Sequence, residues 1–317
     1  MNFISKLATK SSSLLHRRMA IIIPLITVIF CILLIVFSFL PHQTVFAQTS
    51  LITQSKGLTL SPLRSELEIP PGTSLNGTLT ITNSSKNLIT VDLNAEAFSV
   101  VNQQYDYAFT EESDVIKWIS FDNSAISLAA GQSQKVKFTV GVPLSAEPGG
   151  RYISLFASTN TGTTTNGLSS RQRIASLLYI TVSGDVTREG HLVSLSAPWL
   201  VGDKADWSVA LQNKGSTHYR SRYDVAIKNI IDNGVVATSQ GEALIMPGTV
   251  RSVVDTLPLP QWPGIYRAEF TIGLGDNPAK VETRYILYMP QAMIIGLGAI
   301  ILFLLLWLYR NKVFKKS

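Results

Sequence analysis

Cysteine is almost missing from this chain: among 317 residues only Cys31 carries a thiol. A single cysteine excludes an intramolecular disulfide framework, so a fold built here depends on burial of apolar side chains. Histidine is scarce too, with His16, His42, His191 and His218 as the whole supply. A zinc site needs three or four convergent ligands, and His191 and His218, the two beyond residue 47, read as lone surface residues. The same shortage removes the commonest nucleophile and base arrangements of hydrolytic enzymes. No motif calls for a metal or a cofactor, and the chain reads as non-catalytic.

Charge is also low, at 15 % of residues, against 46 % hydrophobic ones. The formal net charge of +6 is concentrated at the ends. Lys6, Lys10, Arg17 and Arg18 precede the first apolar run, and Arg310, Lys312, Lys315 and Lys316 follow the last. Setting those eight aside leaves 19 basic against 21 acidic residues, a middle of −2. Nucleic-acid binding loses its electrostatic footprint.

The two apolar runs account for much of the hydrophobic excess. After a basic, acid-free start, "AIIIPLITVIFCILLIVFSFLP" runs from Ala20 to Pro41 and "TVFAQ" follows. Val45 and Ala47 occupy the small-residue places of a signal peptidase site, which predicts a cleaved secretory signal over 1–47. The run is long enough to span a bilayer, so an uncleaved signal-anchor is the alternative. "AMIIGLGAIILFLLLWLY", Ala292 to Tyr309, carries no charge, and "RNKVFKKS" comes after it. This pattern predicts a transmembrane helix over 289–309 and a basic cytoplasmic tail over 310–317, with the bulk of the chain outside the cell membrane. Tyr285, Tyr288, Trp307 and Tyr309 fall where an aromatic belt would lie.

Between the runs, hydrophobicity has period two. Leu79 and Ile81 alternate with threonines, and Val136, Phe138 and Val140 alternate with Lys135, Lys137 and Thr139. Trp207, Val209 and Leu211 repeat the pattern, as do Tyr266, Ala268, Phe270 and Ile272. Such alternation predicts sheets with one face buried and one wet. Turn signals such as "PPG" at 70–72, "AAGQ" at 129–132, "PGG" at 148–150 and "MPG" at 246–248 separate short strands, as in a β-sandwich.

The pattern also occurs twice. "TLTITNSSKNLITVDL" is matched by "SVALQNKGSTHYRSRYDVAI", and the stretch from "LAAGQ" to "SLFA" by that from "IMPGT" to "EFTI". Two copies of one unit predict an all-β chain of two tandem Ig-like β-sandwich domains, 57–185 and 190–288, joined near "SGDVTREG".

With the signal, the paired sandwiches, "GQSQKVKFTVGVPLSAEPGGRY" and the terminal helix with its basic tail, the chain resembles the bacterial WxL-interacting surface proteins. That resemblance implies a first domain that binds peptidoglycan and a second that binds a protein partner. The same rhythm of glycine, valine and "PxxxxPGxY" also resembles the Ig-like modules attached to bacterial glycosidases. Neither family supplies a catalytic or ligand motif to carry over.

One stretch offers candidate chemistry. "YDYAFTEESDVIKW" places Asp106, Glu111, Glu112 and Asp114 beside Tyr105, Tyr107, Phe109 and Trp118. A glycosidase needs two carboxyls facing each other across a sugar, with one pKa raised by burial; a run this polar reads instead as a solvated loop. The expectation is that Tyr105, Tyr107 and Phe109 present aromatic faces to a cell-wall polymer or a secreted surface protein. A structural stalk or assembly scaffold is the alternative.

Overall fold

The computed structural model describes residues 57–159 and 172–314. The expected signal over 1–47, most of the low-complexity stretch at 158–173 and the end of the basic tail lie outside them. The described residues form two Ig-like β-sandwiches followed by one helix.

The first sandwich opens with Leu58–Ser61 (β1), Arg64–Ile69 (β2), Ser74–Asn83 (β3) and Ile89–Val100 (β4). Tyr107–Thr110 (β5), a 3-10 turn at Asp114–Trp118, Ile119–Phe121 (β6) and Ala125–Leu128 (β7) follow. Ser133–Gly141 (β8), Gly149–Thr159 (β9) and Arg173–Val182 (β10) complete it. One sheet has the order β1, β3, β8, β6; the other runs β2, β10, β9, β4, β5, with β7 also on β4. The chain changes sheet at Pro62: β1 is antiparallel to β3, whereas β2 lies parallel to β10.

The second sandwich repeats this plan. Gly190–Ser196 (β11), Leu200–Val201 (β12), Asp206–Asn213 (β13), Tyr219–Asn229 (β14), Val235–Ile245 (β15), Val250–Thr256 (β16), Gly264–Leu274 (β17) and Asn277–Tyr288 (β18) form sheets β11, β13, β16 and β12, β18, β17, β14, β15. Again the first strand gives way to a short one, β12, that joins the opposite sheet in parallel, here against β18.

The duplication extends to single hydrogen bonds. Asn83 ends β3 and Asn213 ends β13, and both are fully buried. The Asn83 Nδ2 donates to the carbonyls of Asn87, Leu128 and Ala129 at 2.7 to 3.0 Å. The Asn213 Nδ2 donates to those of Thr217 and Ile245 at 2.8 and 3.0 Å. Each asparagine carbonyl accepts the N–H of a turn glycine at 2.9 Å, Gly131 in one domain and Gly248 in the other. Both glycines have φ near 70° (73° and 71°), a conformation that strains a side chain.

Alternation places Leu79, Ile81, Val136, Phe138 and Val140 in the first core, and Trp207, Val209, Leu211, Val225, Phe270 and Ile272 in the second. Period two fails in β9 and β10. From Ile153 to Thr159 and from Leu178 to Val182 every residue is buried, so over these stretches the strands have no wet face. Their inner side chains, such as Ile153, Leu155 and Ile180, belong to the sandwich core. Their outer ones, Tyr152, Phe156 and Tyr179, meet rings from β4, β5 and the second domain.

After β18 comes Gln291–Phe314 (α1). Its window Gln291–Leu308 has a mean hydropathy of 2.4 and none of it is buried, so by length and composition it can cross a membrane.

Candidate functional site: an aromatic layer between the domains and the groove at its edge

The outer face of the larger sheet of the first domain is paved with aromatic rings. Phe98 stands at the centre, 5.4 Å from Tyr107, 5.8 Å from Tyr152 and 5.3 Å from Tyr179, mostly edge to face. Left to solvent, such a face would be an aggregation hazard. Here it is closed by the 102–110 segment and by Leu244 and Met246 of the second domain, which join Phe98, Tyr105 and Tyr179 in one buried cluster.

Tyr105 is the pin of this layer, which corrects the expectation that it faces a ligand from an exposed loop. It is only 6 % exposed. Its hydroxyl accepts the Met246 N–H at 2.7 Å and pairs with Thr249 Oγ1 at 2.8 Å, while the Arg251 guanidinium lies 4.4 Å from the ring centre. Burial raises its phenol pKa. The backbone is turned to match, with φ of 69° at Tyr105. Asn102 braces that turn by accepting the Asp106 N–H and donating to its carboxylate. Tyr107 is half-buried, its hydroxyl 3.1 Å from that of Tyr179.

Other contacts extend the junction. The Ser252 N–H donates to Gln103 O and the Gly150 N–H to Ser216 O, so two backbone bonds cross between the domains. Thr181 pairs with Thr217 at 2.9 Å, and Arg220 holds Glu66 across the junction and Glu242 within its own domain. His218, expected at the surface, is buried here against Tyr152 and Tyr179. Burial pushes its pKa down to about 4. A cleft of about 400 Å³ beside it is lined by Glu66, Glu68, Arg188, Arg220 and Asp276. Arg220 is ion-paired there and the Arg188 backbone N–H donates to Asp276 at 2.9 Å, so the cleft runs along the junction.

Phe109 is the most exposed of the three expected residues, at 40 %. It lines a groove of about 490 Å³ with Tyr107, Leu63, Arg64, Ala175 and Leu177. The structure thus brings Tyr107 and Phe109 together, 6.4 Å apart, and sends Tyr105 elsewhere. Leu63, exposed just after Pro62, and Arg64, 5.3 Å from the Tyr179 ring, are groove residues that sequence reasoning missed. Nothing in "SPLRS" marks them, because they reach the groove through the parallel pairing of β2 with β10.

The four carboxylates do not form a catalytic pair. Asp106, Glu111, Glu112 and Asp114 are all exposed, and Asp114 is paired with Lys117 at 2.7 Å, which lowers its pKa. Among the described residues, no group of three or more histidine, cysteine or carboxylate side chains could hold a metal ion.

No protein-family model and no curated protein sequence matches the chain. Solved structures do resemble it. The class 5 fimbriae chaperone CfaA is 13 % identical with a TM-score of 0.38, over 74 % of this chain and all of its own. The E. coli chaperone DraB is 12 % identical with a TM-score of 0.36, over 72 % and 98 %. The CsuC–CsuE chaperone–tip adhesion subunit complex of Acinetobacter baumannii gives 13 %, 0.37, 73 % and 99 %. Similarities of this size carry no argument about function, and the strand order alone defines the fold.

Proposed function

We propose that this chain is a membrane-anchored, non-catalytic binding protein that displays two Ig-like domains outside the cell and attaches through the first to a cell-wall polymer or a partner surface protein. The observation that carries the reading is the groove beside Phe109. Aromatic rings and an arginine at the rim suit the apolar face of a sugar or the side chains of a polypeptide, and they stand on a sheet that is packed on both sides. α1 is the anchor, with the basic residues after Tyr309 on the cytoplasmic side. The resemblance to WxL-interacting proteins points the same way, toward peptidoglycan for the first domain.

The test is retention of the full-length protein, in detergent, on purified cell wall. Phe109→Ala with Arg64→Ala is expected to lower retention at least about tenfold, as loss of a central anchor does, in protein that keeps its β-rich far-ultraviolet spectrum. Wild-type protein that passes through cell wall unretained and captures no secreted surface protein sinks the binding reading. A stalk or assembly scaffold is favoured in that event by the interdomain layer, which stiffens the pair of domains.

A further inference from the structure

The end of the second domain next to α1 is apolar on its outer face. Strands β12, β18 and β17 lie side by side there, and Leu200, Leu287 and Ile265 occupy one register row across them. Their neighbours Val201, Tyr288, Ile286 and Tyr266 are buried in the core, so by alternation this row points away from it. Leu200 and Ile265 are exposed. Around the row stand three aromatic side chains, Tyr285 at 67 %, Trp199 at 70 % and Trp262 at 61 % exposure. Trp199 and Trp262 come from segments far apart in sequence, before β12 and before β17.

The apolar character is densest at the rungs nearest the helix, with Val281, 54 % exposed opposite Thr271, standing apart further along β18. Tyr285 is the register partner of Arg267, and the next outward pair along the strands is Thr283 with Glu269, whose carboxylate is bonded to Lys228 at 2.7 Å. Such a distribution matches a lipid interface, where polarity changes over a few ångströms along the membrane normal.

The junction holds this face close to the helix. Only Met289 and Pro290 separate β18 from α1. The Met289 N–H donates to Val201 O at 2.8 Å, and the Gln291 N–H, at the first turn of α1, donates to Asp203 Oδ1 at 3.2 Å. Both acceptors belong to β12 and the residues just after it, so helix and sheet are tied together. At about 3.3 Å per residue, the row at Leu287 lies on the order of 10 Å from the start of the helix, within reach of the headgroup layer if α1 crosses the bilayer. Tryptophan and tyrosine favour that layer, since each combines an apolar ring with a hydrogen-bonding tip.

We propose that this face is a lipid-docking surface: Trp199, Trp262 and Tyr285 sit in the headgroup region of the bilayer that α1 enters, with Leu200, Leu287 and Ile265 turned toward it. The inference rests on the reading of α1 as a membrane anchor. Its effect is to hold the second domain upright on the membrane instead of letting it pivot on the helix.

The experiment uses full-length Trp307→Phe protein, which removes the tryptophan of α1, reconstituted in phosphatidylcholine vesicles with acyl chains brominated near the headgroup. Trp207 is buried in the second core and Trp118 belongs to the first domain, so quenching reports on Trp199 and Trp262. A fall of roughly twofold in their emission, abolished in Trp199→Ser/Trp262→Ser protein that keeps its β-rich far-ultraviolet spectrum, is the expected result. Unquenched emission from protein that floats with the vesicles and resists alkaline extraction overturns the docking surface and leaves the anchor standing. Quenching that persists in the double variant overturns it as well. Protein that fails to float overturns the anchor, and the docking surface with it.

Discussion

Tyr105 shows what one side chain contributes when a fold needs a pin. Its ring fills the junction and its hydroxyl satisfies a buried backbone N–H at Met246. Tyr105→Phe keeps the ring and leaves that N–H without its acceptor, so it should cost about 1–3 kcal/mol. Denaturant unfolding of the two proteins measures this directly; a change within error would mean that water replaces the hydroxyl. His218 makes a prediction with a sign. Burial lowers its pKa from 6.5 to about 4, with Arg188 and Arg220 adding to the shift and Glu66 opposing it. The unfolded chain therefore takes up a proton between those values that the folded chain refuses. Stability carried by the neutral ring is complete above pH 6.5 and is lost as the pH falls toward 4, by up to about 3 kcal/mol. Comparing wild type with His218→Gln at both ends of that window isolates the effect, and parallel pH profiles would show that the ring is solvated.

At the scale of elements, the strands divide by how many faces they bury. In β13, alternation put Trp207, Val209 and Leu211 inward, and all three are buried. The Trp207 ring lies 4.9 Å from Phe270 and 5.3 Å from Tyr223. Trp207→Ala should cost about 3–5 kcal/mol from transfer and cavity terms. Trp207→Phe should cost markedly less, because the indole Nε1 is buried without a hydrogen-bond partner among the described residues and the variant removes it. Thermal melting of both variants tests the order, and an alanine loss below about 1 kcal/mol would contradict the packing. In β9 the same reasoning stops working, since "ISLFAST" has no polar positions reserved for water. Tyr152 and Phe156 would read as exposed by parity, yet they are roofed by residues more than 40 positions earlier in β4 and β5.

At the scale of the whole molecule, the junction joins two cores into one unit. Two backbone hydrogen bonds, the Arg220–Glu66 pair and a shared aromatic cluster cross it. Calorimetry of the full-length protein in detergent should show one cooperative transition for the two domains, with Tyr105→Ala separating it into two. Reductant should leave the transition in place, because no cysteine follows Cys31. Two resolved transitions in the wild type would mean that the junction contributes too little to couple the domains.

Composition and periodicity by themselves determined the class of the molecule. Alternation is a local property of a strand, and a turn needs its own glycine or asparagine, so sandwiches, the repeat at Asn83 and Asn213 and the apolar helix could be read one segment at a time. Which aromatic residues reach the surface was not local. Tyr105, Tyr107 and Phe109 are alike in sequence, all aromatic and all in a polar run. Their different fates depend on a left-handed turn at Tyr105, on the Tyr179 hydroxyl above Tyr107, and on where Met246 arrives from 141 residues away. The row at Leu200, Leu287 and Ile265 belongs to the same kind, since strands distant in the chain meet there only through sheet pairing. Burial is a property of what lies across from a residue, and only the tertiary structure decides that.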